Sequence, residues 1–122
     1  MYCRGLGFDV LGQFNDHDGF DGVMVGHPSA GYHLEFVHAS EHDVRPTPTV
    51  EDLLVFYIPE DEAWQKRCDA MVNAGFMSVE PLNPYWAVRG RTFADHDGYR
   101  TVLERAAWPN EARPDKSVER SR

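Results

Sequence analysis

Between residues 60 and 75, EDEAWQKRCDAMVNAG, apolar side chains recur at Trp64, Cys68, Met71 and Val72. That three-and-four spacing predicts one apolar face of an α-helix. Pro59 precedes it, Glu60, Asp61 and Glu62 suit the positive end of a helix dipole, and Gly75 is placed to end it. Elsewhere the pattern has period two or is unbroken. Residues 32–38, YHLEFVH, alternate Tyr32, Leu34 and Phe36 against His33, Glu35 and Val37, as a strand does when its two faces differ. Residues 53–58, LLVFYI, form a continuous apolar run between Glu51-Asp52 and Pro59, so a buried strand. Residues 8–14, 20–25 and 99–106 also read as strands. A helix among strands joined by tight turns predicts an α+β fold.

The tetrapeptide DHDG occurs twice, at Asp16–Gly19 and Asp95–Gly98. It does not mark a repeat, because FDGVMVG follows the first copy and YRTVLER the second. Another register matches better. Gly7-Phe8 and Gly75-Phe76 each follow a helix end and open a strand, 68 residues apart, while Gly31-Tyr32 and Gly98-Tyr99 open strands 67 residues apart. Two copies of a strand–helix–three-strand unit are expected, with the DHDG copies in different hairpins. As calcium loops both fail: counting from Asp16, the sixth position is Asp21 and the twelfth His27; counting from Asp95, the sixth is Arg100. Aspartate and glycine are what a tight turn needs.

Charge and composition narrow the function classes. A net charge of -8 and a pI near 5.1 argue against nucleic acid or an anionic membrane as partner. No apolar run approaches the roughly 18 residues of a membrane-spanning helix, and no signal peptide is expected. Cys3 and Cys68 lack metal-ligand spacing, so both are expected to be buried thiols in a cytoplasmic protein. Residues 109–122, PNEARPDKSVERSR, have the composition of a disordered tail.

Three stretches, in order, carry a family resemblance: MYCRGLGFDV, GYHLEFV and GRTFADHDGYRTVLERAAW. Together they resemble the vicinal oxygen chelate superfamily, the glyoxalase and bleomycin-resistance fold. His96 stands where that family's closing motif usually has proline. The resemblance spans residues 1–108. It implies paired βαβββ modules, here an incomplete one over 1–40 and a full one over 50–108, forming a curled mixed sheet around a cavity. The repeat register places the first strand of the first module before Met1, so that module is expected to show an open edge, and an open edge favours a homodimer.

The resemblance also implies a divalent metal held by four side chains, one from the first and one from the last strand of each module. Glu35 stands at one of these positions. Leu53 and Val102 stand at two others, and neither can coordinate an ion. Glu35 is thus the only family ligand position retained, and no metal or other cofactor is expected. What remains is a ligand cavity. His33, Glu35, Tyr57, Trp86 and Arg100 are its candidate ligand-binding residues, with His33 and Glu35 a possible acid–base pair. The competing structural reading is a Glu35–Arg100 ion pair, an exposed His33, and Tyr85 and Trp86 capping a core edge from a loop. Two functions follow: a metal-free small-molecule binder, or a lyase or oxidoreductase of glyoxalase or dioxygenase type using a divalent metal. The ligand is not readable from the sequence.

Overall fold

The structure is a computed structural model that describes residues 1–112. The tail expected over 109–122 lies mostly outside the described residues. Helix α1 (Tyr2–Leu6) leads into β1 (Asp9–His17), β2 (Phe20–Gly26) and β3 (Leu34–Ala39). Then come β4 (Leu53–Tyr57), α2 (Asp61–Asn73), β5 (Met77–Val79), the short helix α3 (Tyr85–Val88), β6 (Gly90–Ala94) and β7 (Arg100–Glu104). The α+β class is as expected, with two sheets rather than one continuous sheet. The first has the order β1-β2-β3, the second β4-β7-β6-β5. They remain separate because β3 and β4, which would have to join them, do not pair.

The internal repeat is visible in the topology. In both halves a helix is followed by a three-strand antiparallel meander, and in the second β4 adds in parallel beside β7. Gly7 (φ 72°) and Gly75 (φ 100°) take the left-handed conformation after their helices, and each places a phenylalanine, Phe8 or Phe76, in the core. One core serves both halves: Leu6, Phe8 and Val25 join Cys68, Met71, Phe76, Phe93 and Leu103. Gly5 allows α1 to close on α2, since a Cβ there would lie 2.9 Å from both Met71 Sδ and Phe76 Cε1. Arg67 Nη1 donates to the Gly5 carbonyl at 3.0 Å, and Trp64 Nε1 to the Leu103 carbonyl at 2.9 Å.

Several local expectations are corrected. Strand β3 begins at Leu34, so Tyr32 and His33 precede it. Val72 is half exposed, because the buried face of α2 is centred on Cys68 and Met71. Cys3 is only partly buried. The aromatics Tyr85 and Trp86 lie on α3 rather than in a loop; Asn83 Oδ1 accepts from the Tyr85 N–H at 3.0 Å and starts that turn of helix.

Candidate functional site

A cleft of about 1130 Å³ opens between the two sheets. Its wall includes five consecutive residues of β3, Leu34 to His38, together with Leu53 and Leu54 of β4. Successive strand residues point to opposite faces, and Asp21, Gly22 and Val23 of β2 also line the cleft, so it takes in the edge of β3 and part of the sheet's face behind it. Among the described residues that edge is unpaired, since β3 bonds only to β2, and β4 only to β7.

Tyr2 of α1 also lines the cleft. Its hydroxyl donates to Asp95 Oδ2 at 2.7 Å, and its ring packs on Phe36 and edge-on against Phe76. Burial, and then the Asp95 carboxylate, push the phenol far above its ordinary pKa, so it stays a neutral donor. Asp95 Oδ1 accepts from the backbone N–H groups of Asp97 and Tyr99. The second DHDG is therefore a turn that also anchors α1. The first copy is a different turn, with Asp16, Asp18 and Gly19 at positive φ. The segment HASEHD folds back on it: Ser40 N–H and Oγ–H both donate to the Gly19 carbonyl.

Of the residues singled out by sequence, Glu35 and Arg100 lie in the cleft wall. His33 stands beside Glu35, its Nε2 3.4 Å from Oε2, both side chains about half exposed. Arg100 does not reach Glu35; its Nη1 donates to the Glu80 carbonyl at 3.1 Å. Tyr57 and Trp86 lie away from the cleft. Tyr57 is at the other end of β4 from Leu53, 6.1 Å ring to ring from Trp108, and Trp86 packs edge-on with Tyr85. Tyr2 and Asp95 were not anticipated as cleft residues, although MYCRGLGF and the DHDGY turn carried them.

The cleft is acidic. Asp21, Glu35, Glu51, Asp52, Asp95 and Asp97 face it, against the guanidinium groups of Arg45 and Arg100. The family's metal does not fit this donor set. Glu35 is available, but Leu53 in the cleft wall offers no donor atom and Val102 is fully buried among its neighbours. Among the described residues no group of three or more His, Cys, Asp or Glu side chains is placed to hold an ion.

Residues 1–37 match the YycE-like N-terminal domain and residues 51–105 the YycE-like C-terminal domain. The uncharacterised protein YycE of Bacillus subtilis is 41% identical over 103 residues, which are 84% of this chain and 74% of that protein. The chain belongs to the YycE family of the vicinal oxygen chelate superfamily. The crystal structure of B. subtilis YycE, described as of unknown function and related to glyoxalase and fosfomycin resistance proteins, superposes with a TM-score of 0.81 at 37% identity. The match covers 91% of this YycE-family chain and 81% of that one. Two more distant structures share the fold. The trypanothione-dependent glyoxalase I of Leishmania major has a TM-score of 0.62 at 15% identity, covering 86% and 73% of the two chains. TnmS3, an antibiotic-binding protein of Streptomyces sp. CB03234, has a TM-score of 0.54 at 23% identity, covering 84% and 78%.

Proposed function

We propose that this YycE-family protein binds a small, basic organic molecule in the cleft between its sheets, without the family's divalent metal. The replacement of donors by Leu53 and Val102 carries the metal-free part of this reading. A tight transition-metal site needs three or four ligands at fixed geometry, and with Leu53 and Val102 at two of the family's four positions at most two are left. Six carboxylates against two guanidinium groups in the cleft wall favour a cationic ligand. Apolar surface from Leu34, Phe36, Val37 and Leu54 supplies the remaining contact. A binding role also agrees with what TnmS3 does on the same fold. In this reading Glu35 orients the ligand, with His33 beside the carboxylate.

The 3.4 Å approach of His33 to Glu35 supports a second reading, in which this pair acts as base and orienter for a proton transfer. The test is elemental analysis of dialysed protein beside the Glu35→Gln variant. The expected result is far less than one Ni, Zn, Mn or Fe per chain in both. A stoichiometric metal that Glu35→Gln removes would overturn the proposal and favour a metal-dependent enzyme.

A further inference from the structure

We infer a second binding site, for a compact organic cation of the alkylammonium class, where Tyr57, Tyr85, Trp86 and Trp108 gather around the Glu104 carboxylate. The site lies at the C-terminal end of β4 and β7. Tyr57 and Glu104 are partners in the parallel ladder, and Gly90 of β6 is the other neighbour of Glu104. None of the four aromatic residues or Glu104 lines the cleft.

Three observations point to a ligand. First, Glu104 is 2% exposed and its Oε1 has no hydrogen-bond partner among the described residues. A buried carboxylate left in this state is costly, and a cation close by relieves the cost. The Arg89 guanidinium acts on it only from a distance: among the described residues Glu104 makes no ion pair within 4.0 Å. Second, the aromatic rings come in two close pairs, Tyr57 with Trp108 at 6.1 Å and Tyr85 with Trp86 at 5.0 Å and 80°. Tyr57 is the ladder partner of Glu104, and Glu104 Oε1 and the Trp86 carbonyl both lie against Gly90, 2.5 and 2.7 Å from where a Cβ would stand, so the end of β4, the end of β7 and α3 meet at one place. Third, one ring of each pair is open to solvent: Tyr85 is 54% and Trp108 58% exposed. Rings that only capped the sheet would be packed against it.

Aromatic faces are negative and attract a cation, most strongly one that is weakly hydrated. An alkylammonium group is such a cation. Rings on its flanks and a carboxylate beneath are complementary to it, whereas a metal ion would find a single carboxylate and no imidazole or thiolate among the site's residues.

The experiment titrates the full-length protein with choline and with 3,3-dimethylbutan-1-ol, its uncharged isostere, following tryptophan fluorescence. Choline should saturate the signal and bind more tightly than the alcohol. Trp108→Ala and Glu104→Gln should each weaken choline about fivefold to tenfold, Trp108→Phe should restore most of the loss, and Val10→Ala, exposed on β1 away from both sites, should leave it unchanged. Trp108 is a surface residue, so its variants keep the test valid should Glu104→Gln disturb the sheet. Equal binding of alcohol and choline, indifference to Trp108→Ala, or no saturation with choline would overturn the inference. Choline binding weakened by Glu35→Gln but not by Trp108→Ala would place the cation in the cleft, and would overturn this site without touching the cleft proposal.

Discussion

At the scale of single residues, the acidic side chains divide by what surrounds them. Asp95 is saturated: it accepts from Tyr2 and from two backbone N–H groups, so it works as an anchor. Glu104 is the opposite. Burial raises its pKa above 4.5, with Arg89 opposing. A carboxyl raised in the native state binds protons more readily there than when unfolded. Its favourable contribution is fully present below the unfolded pKa and is lost as pH rises through the folded one. Glu104→Gln keeps the shape without the charge. It should therefore be more stable than the parent at about pH 7, by about 1 kcal/mol. The gain should shrink towards about pH 4, where the parent carboxyl is protonated. Thermal melts at the two pH values check this, and a variant less stable than the parent at neutral pH would contradict it.

At the scale of elements, close backbone approach sets the tolerances. Gly90 in β6 is the clearest case: a Cβ there would lie 2.5 Å from Glu104 Oε1 and 2.7 Å from the Trp86 carbonyl. Because one of these is backbone on α3, the neighbours cannot simply rotate away. Gly90→Ala should cost about 1–3 kcal/mol by chemical denaturation, and Glu104→Ala beside it should recover only the part owed to the carboxylate. The elements themselves were largely legible. The 3.6 period marked α2 to within a residue or two, the Gly-Phe pairs marked the repeat, and the apolar run marked β4. Helix α3 was not legible because Asn-Pro reads equally as a turn and as a helix start, and only the Asn83–Tyr85 hydrogen bond decides it. Period two says which face a side chain takes but not which end of the sheet it reaches. Glu35 and Arg100 therefore came to the cleft, while Tyr57, on the same face of β4 as Leu53, came to the opposite end.

At the scale of the whole molecule, the unpaired edge of β3 dominates. Its free edge borders the cleft, flanked by Phe36 at 39% exposure, Val37 at 55% and, on the connection to β4, Val44 at 74%. An exposed strand edge with apolar side chains is a template for pairing with another chain, and β3 is weakly protected: Glu35 is its one carboxylate, and there is no lysine or proline between Leu34 and Ala39. Two copies meeting edge to edge would bring both β3 strands into one antiparallel ladder, a self-complementary contact of the kind that two-fold dimers use. We therefore expect a homodimer at micromolar concentration, measured by sedimentation velocity. Val37→Lys should shift it towards monomer, since a charge on the edge opposes pairing. It should do so without lowering the monomer's melting temperature, because Val37 is exposed before association. A parent protein that sediments as a monomer across this range would rule the pairing out, and would leave the β3 edge to be covered by something other than a second copy.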